Sequence, residues 1–230
     1  MRNIVNLKQI KMAFYATYLT NKYGLKLKKA KNSTERIQLR LEYSQVLLSK
    51  LNINIEVINK EKIPEDNKYL LVSNHRSIID PLIIEIALKD VNINGFWIAK
   101  KELYNSFFFG TFVRNAGTIL LDRDATNMSS FFKDTKSIVK EDHSIYIFPE
   151  GTRNKDNTPL SSFKEGSRII ALKNRLPIFP IYIKSNANDI LKDAIKNRTK
   201  NLKIEVEIGD IIDYKDKTSL EENYRKQFIK

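Results

Sequence analysis

The segment Asn74-His75-Arg76-Ser77-Ile78-Ile79-Asp80-Pro81 follows the apolar run Tyr69-Leu70-Leu71-Val72-Ser73. It sets an aspartate five residues after a histidine, across a strand-to-helix turn. Imidazole is the side chain best matched to taking a proton near neutral pH, and a carboxylate folded back onto its second ring nitrogen would orient it and stabilise its charged form. That is a catalytic triad without its nucleophile, a place the substrate's own hydroxyl can fill. Ser77 is the nearby hydroxyl, and its other use is to cap the loop. Asp80-Pro81 also suits an ordinary helix start, with Asp as N-cap, Pro at the first helical position and the apolar run Leu82 to Leu88 behind them. The chain has two histidines. His143, after Lys140-Glu141-Asp142, reads as a surface turn residue, and neither lies at a spacing that would pair them as metal ligands, so no metal is expected.

A second constellation, Phe148-Pro149-Glu150-Gly151-Thr152-Arg153, also follows a buried run, Ser144-Ile145-Tyr146-Ile147. Gly151 permits a sharp turn with backbone N–H groups aimed into a concavity, Thr152 adds a hydroxyl, and Arg153 offers a planar fork matched to phosphate oxygens. Such a loop cradles an anion. The plainer alternative is a tight loop with a solvated arginine. Glu150 would then pair with Arg153, support the site from behind, or stand as a loop carboxylate.

The elements that must position these loops interleave. Strands are expected at 53–58, 69–73, 96–99, 118–121, 144–148, 178–183 and 203–208, and helices at 81–89, 105–115, 129–141, 163–174, 188–198 and 218–228. Short apolar runs without polar alternation suit central strands covered on both faces. Strand ends in such sheets are where sites form. The alternating Lys203-Ile204-Glu205-Val206-Glu207-Ile208 reads as an edge strand. The expected fold class is α/β, a mixed central sheet flanked by helices.

The first 51 residues differ in character. Net charge is +13, and residues 1–50 hold 11 basic and 2 acidic side chains, or +9 of it. Such a segment is drawn to an anionic lipid surface or to nucleic acid. Lys11 and Lys22 bracket Met12 to Asn21, with Phe14, Tyr15, Tyr18 and Leu19. That stretch falls well short of the ~20 apolar residues needed to span a bilayer. It suits an interfacial helix, or equally one whose apolar side packs on the domain. A cleavable signal peptide is not expected. A second helix is predicted from an N-cap at Ser33 or Thr34 to about Leu51, joined to the first by residues 25–32. Residues 1–51 are thus expected as a basic two-helix membrane-associating segment and 52–230 as the α/β domain. The 230-residue chain has no cysteine, which removes disulfides, thiolate nucleophiles and Cys-type zinc sites. It also lacks the zinc and RNA-binding aromatic signatures of nucleic-acid modules, so a nucleic-acid partner is not expected, and a non-catalytic basic binding module remains the different-class alternative.

In order and make-up these segments resemble the glycerolipid acyltransferase family, in particular the 1-acylglycerol-3-phosphate O-acyltransferases. The family's Asn-His-x4-Asp motif matches Asn74, His75 and Asp80, and its phosphate-side motif matches Phe148 to Arg153. Further blocks are Ile98-Ala99-Lys100-Lys101-Glu102-Leu103, Phe109-Gly110, Gly117 to Arg123, and Leu176 to Ile181, so the resemblance covers about residues 50 to 185. It implies an enzyme that moves an acyl chain from a thioester, on coenzyme A or acyl carrier protein, to the sn-2 hydroxyl of 1-acylglycerol 3-phosphate. The product is phosphatidic acid. His75 would be the general base, Asp80 its orienting partner, and Lys100, Arg123, Gly151, Thr152 and Arg153 the phosphate side, supported by Asn74, Ser77 and Glu150. Lys100 is preferred to Lys101 on the family pattern, and Arg123 has Asp122 and Asp124 as competing partners. No bound cofactor is implied. Phe107, Phe108, Phe109 and Phe112 would line an acyl channel or pack in the core. The resemblance further implies a peripheral or monotopic protein on the cytoplasmic face of the cell membrane, with glycerol 3-phosphate or another lysophospholipid as alternative acceptors.

Overall fold

The computed structural model describes residues 7–65, 68–123, 126–156, 158–197 and 199–229. Two helices, α1 (Leu7–Lys29) and α2 (Ser33–Lys50), lead into strand β1 (Ile53–Ile58). Then follow β2 (Leu70–Ser73), α3 (Asp80–Ala87), β3 (Gly95–Lys100), α4 (Lys101–Tyr104), α5 (Gly110–Asn115) and β4 (Ile119–Leu121). The chain continues through α6 (Ser129–Lys140), β5 (Ser144–Ile147), α7 (Gly166–Asn174), β6 (Ile178–Ile183), α8 (Ala187–Lys196), β7 (Leu202–Ile208) and α9 (Leu220–Phe228). Arg198, the last residue of the helix expected at 188–198, lies outside the described residues.

The strands form one mixed sheet in the order β1-β7-β6-β2-β5-β3-β4. Neighbours are parallel except for β6 against β7. β2 sits in the middle with all four of its residues fully buried, as its unbroken apolar run predicts. The crossovers that carry the site leave this centre in opposite directions: β2 to β3 passes over β5, and β5 to β6 passes back over β2. Because parallel crossovers share one hand, opposite directions put their helices on opposite faces. Accordingly α3 packs with α1, α2 and α8 in one apolar cluster around Leu71, Ile83 and Phe179, and α7 packs with α6 and α9 in another around Leu70, Ile145 and Tyr224. The carboxyl ends of β2, β3, β4, β5 and β6 therefore share one edge of the sheet.

Four expectations change. β7 is not an edge strand; it lies between β1 and β6. Its alternation reports a solvated face, where Lys203 pairs with Glu56 and Glu205, not an open hydrogen-bonding edge. α1 runs on to Lys29, so the connection to α2 shrinks to three residues, and the N-cap is Asn32, whose side chain accepts from Glu35 N. The helix expected at 105–115 shortens to α5, with the short α4 standing before it, because Ser106 turns the chain, accepting from Phe109 N through its hydroxyl and from Gly110 N through its carbonyl. α7 starts at Gly166 rather than 163, since Phe163 N donates to Glu221 and Lys164 N to the Pro149 carbonyl.

α1 carries two apolar faces. At roughly 100° per residue, Leu19, Tyr23 and Leu27 point into the core, while Leu7, Phe14, Tyr18 and Leu25 form a stripe on the opposite side and are exposed. That is why its faces look poorly separated in sequence. The basic count of this segment also needs one subtraction. Arg40 is buried, 3.0 Å from Glu85 and bonded to the carbonyls of Gly95 (2.6 Å) and Ala116 (3.3 Å). It pins α2 to the main sheet rather than facing a membrane.

Candidate active site

The main chain of the His75 loop is held independently of the His75 side chain. At the end of β2, the Asn74 carboxamide mimics a strand residue: its Nδ2 donates to the Ile183 carbonyl (3.0 Å) and its Oδ1 accepts from Ile183 N (2.8 Å). Asn74 N donates to the Tyr224 hydroxyl (3.2 Å), which itself donates to the Ile181 carbonyl (2.6 Å). Burial pushes the Tyr224 hydroxyl well above its ordinary range, so it stays a neutral donor. His75 N then donates to Glu150 Oε1 (2.6 Å), and the His75 carbonyl accepts from Asn154 N (2.6 Å). Both motif loops are therefore stitched together through the main chain of His75.

The His75 ring is fixed from two directions. Its Nδ1 lies 2.8 Å from Asp80 Oδ2, and its face stacks on Phe148 at 4.0 Å, which stacks in turn on Trp97 at 4.8 Å. Asp80 Oδ2 also accepts from Arg76 N (2.6 Å) and Ser77 N (2.7 Å). An oxygen receiving two obligatory backbone donors is an acceptor, so the Nδ1 proton points at it, and in the neutral ring Nε2 is the nitrogen with the lone pair. The helix-cap reading of Asp80 is thereby corrected: Ile79 is the N-cap residue, without a side-chain bond, and the carboxylate turns back over residues 75–77. Ser77 is fully buried and its hydroxyl accepts from Ile79 N (3.4 Å), the loop-capping use rather than a nucleophile's.

Glu150 is buried and not an ion-pair partner of Arg153. Its Oε1 holds His75 N, and its Oε2 accepts from Ser161 N (2.8 Å) and the Ser161 hydroxyl. Gly151 has φ +72°, and a Cβ there would run into the Arg123 guanidinium. The expected inward N–H of Gly151 is corrected, since that N–H closes the turn onto Phe148 O (2.9 Å). Its carbonyl instead accepts from Arg123 Nη2 (2.8 Å), which aims Arg123 at the loop. Thr152 and Arg153 are exposed beside it.

Lys100, at the end of β3, joins this group. Burial holds its ammonium below the usual lysine range, and repulsion from Arg123 and Arg153 adds to the shift against the pull of Glu102. Three cations thus crowd one place at the sheet edge. Lys101 is otherwise engaged, 2.6 Å from Asp122, and Asp124 lies outside the described residues. Phe112 packs against Tyr43 (4.7 Å), in the core, whereas Phe107 and Phe108 are exposed. His143 is not a plain surface residue either: it meets Phe96 edge-on at 5.2 Å, and burial lowers its pKa.

Tyr224, Ser161, Ile183 and Trp97 were not singled out by sequence reasoning. Tyr224 and Ile183 meet Asn74 from 150 and 109 residues away, with no local spacing to betray them. Trp97 had one signal, as the chain's single tryptophan.

A histidine backed by a carboxylate and a group of cations thus meet at the carboxyl edge of a mixed sheet. Residues 54–184 match the family model described as "Acyltransferase", and the chain belongs to the acyltransferase family. The 1-acyl-sn-glycerol-3-phosphate acyltransferase of Helicobacter pylori is 34% identical over 179 residues, covering 75% of this chain and 74% of its own length. Its counterpart from Bacillus subtilis is 30% identical, covering 59% of this chain and 65% of its own. The human alpha form is 33% identical, and the match spans 46% of it. In fold, the chain is similar to the crystal structure of the 1-acyl-sn-glycerophosphate acyltransferase from Thermotoga maritima, with a TM-score of 0.69 and 23% identity over 98% of this chain and 92% of the other. The family resemblance drawn from the motifs is thus borne out, and with it the mixed α/β fold.

Proposed function

We propose that this acyltransferase moves an acyl chain from an acyl thioester to the sn-2 hydroxyl of 1-acylglycerol 3-phosphate, forming phosphatidic acid and releasing the thiol. The observation that carries the reading is the 2.8 Å contact of His75 Nδ1 with Asp80 on a loop bonded directly to the phosphate-side turn. In it, His75 Nε2 takes the hydroxyl proton as the oxygen attacks the thioester carbonyl, Asp80 stabilises the imidazolium, and the proton passes to the leaving sulfur. Arg153, Lys100 and Arg123 hold the phosphate and so place the hydroxyl. Coenzyme A and acyl carrier protein are the two donor carriers to compare. The test is an acyl-transfer assay with purified protein, both donor types and acceptors with and without phosphate; no transfer to any phosphate-bearing acceptor would reject the reading.

Two expected results concern the phosphate. Arg153→Ala should raise KM for the phosphate-bearing acceptor roughly 10–100-fold, the worth of one charge-assisted contact, with kcat near its starting value. A KM unchanged on that acceptor would remove Arg153 from the site. Because the Lys100 pKa is lowered, the lysine loses its proton as pH rises sooner than an ordinary lysine would. KM should therefore climb on the alkaline side, where the phosphate is already dianionic, and Lys100→Arg should push that climb to higher pH. An identical alkaline limb in Lys100→Arg would exclude the lysine.

The acceptor lies in a bilayer, and the outer stripe of α1 suits that surface. Among the described residues no helix is long and apolar enough to cross a membrane. α1 instead offers Leu7, Phe14, Tyr18 and Leu25 flanked by lysines, with no acidic residue from Leu7 to Lys29. This supports a peripheral seat on an anionic membrane surface, and the family resemblance implies the cytoplasmic face. Since α1 and α2 share the core of the domain, point substitutions test this better than truncation. Phe14→Ser with Tyr18→Ser should weaken sedimentation with anionic vesicles without lowering thermal stability; unaltered binding would move the contact elsewhere.

A further inference from the structure

Phe107 and Phe108 are 83% and 53% exposed, and Leu103 is 39% exposed one turn earlier. Two adjacent exposed phenylalanines form an apolar patch, the kind of surface that marks a contact site. They are not on a floppy loop. The turn that presents them is closed by Gly110 N to the Ser106 carbonyl (2.8 Å) and Phe109 N to the Ser106 hydroxyl (3.2 Å). It is also tied by Arg114 to the Tyr104 carbonyl, and Tyr104 is tied to Thr118 (2.8 Å). A Cβ on Gly110 would come within 2.6 Å of the Tyr104 carbonyl. The two rings meet edge-on at 5.4 Å, so they project as a pair.

The position of the pair matters as much as its exposure. Immediately after it, α5 crosses α1 so closely that a Cβ on Gly24 would lie 2.8 Å from Phe112 N, and Asn115 Nδ2 donates to the Gly24 carbonyl (3.2 Å). Immediately before it, α4 leaves the end of β3 at Lys100. Along the chain the aromatic turn therefore lies between Lys100 of the cation cluster and the helix α5 that crosses α1.

We propose that the Phe107–Phe108 turn is a second membrane contact, seating both rings at the headgroup–acyl boundary of an anionic bilayer beside α1. The proposal rests on the membrane reading of α1. The occupant is a lipid surface rather than a protein because the adjoining helix is basic without a single acidic residue over its described length, the charge complement of anionic headgroups. Two separate contacts fix the tilt of the domain, where one helix alone leaves it free to roll. The site edge then faces the lipid that supplies its acceptor.

The test uses the full chain with vesicles of phosphatidylglycerol and phosphatidylethanolamine. Phe107→Trp should shift its emission to the blue on binding and be quenched by brominated acyl chains, against a constant background from Trp97, which is buried and bonded to Glu85 (3.0 Å). Phe107→Ser with Phe108→Ser should weaken vesicle partition about tenfold while transfer to a short-chain acceptor, dissolved below its micellar concentration, stays unchanged. No blue shift together with undiminished partition would overturn the proposal. So would a dimer dissolved by the double variant in a protein that ignores vesicles, or loss of transfer to the soluble acceptor with vesicle binding intact, which would put the rings in the substrate's path. A chain that inserts Phe107 yet transfers no acyl group leaves the anchor standing and rejects the catalytic reading.

Discussion

His75→Ala should lower kcat by about 10²–10⁴-fold, the usual worth of a positioned proton acceptor, while the protein stays folded. The two effects separate because of how the loop is built. The main chain of His75 is held by Glu150 and Asn154, and both bonds survive the substitution. What the fold loses is the stack on Phe148 and the Nδ1 bond to Asp80, whose Oδ2 keeps its two backbone donors, together about 1–2 kcal/mol. Asp80→Asn divides differently. It keeps an oxygen for Arg76 N and Ser77 N but removes the charge that supports an imidazolium, so kcat falls steeply with a loss of about 1–2 kcal/mol of stability. Measured side by side by initial rates and thermal unfolding, a His75→Ala protein with its activity intact would sink the general-base assignment.

The parts of this site legible in the sequence are those set by short-range chemistry. The His75–Asp80 and Phe148–Arg153 segments were visible because strand-to-helix turns impose their own residue choices: a buried run, then a turn residue, then a helix start. The same locality explains why the seven strands fall where apolar runs predict them. What failed depended on neighbours that periodicity does not encode. β7 alternates whether or not another strand lies beside it, and only the pairing of Ile53–Ile58 with its outer edge makes it internal. α1 looked ambiguous because the core and the solvent side each take an apolar stripe from it. Arg40 counted as surface charge until Glu85 and two carbonyls buried it.

The supporting residues were the least legible. Asn74 sits in the motif, yet its use as a false strand residue against Ile183 follows from a sheet order in which β6 adjoins β2. Tyr224 reaches Asn74 from α9, far downstream. Glu150 had three open roles, and geometry selected the one that sequence could least specify, a tether between three segments.

Glu150→Ala should therefore be the most disruptive single change behind the site. It strips the acceptor from three part-buried donors at once: His75 N, Ser161 N and the Ser161 hydroxyl. Donors left unpaired cost about 1–3 kcal/mol each where water cannot reach them. Some rehydration through the new space makes about 3 kcal/mol the reasonable total, a fall of roughly 6–12 °C in Tm for a chain of this size. The catalytic loss comes by position rather than chemistry. Freed from Glu150, the His75 loop can drift, and an ångström of misplacement is worth about 10²-fold in rate. KM for the phosphate-bearing acceptor should rise with it, because Gly151 and the Arg123 it holds are the next link along the chain. Glu150→Gln separates tether from catalyst. The amide keeps one oxygen for His75 N but turns an NH₂ group on the two Ser161 donors, so stability and kcat should both land between wild type and Glu150→Ala. A Glu150→Gln protein as stable as wild type yet as inactive as Glu150→Ala would instead make this carboxylate a participant in proton transfer.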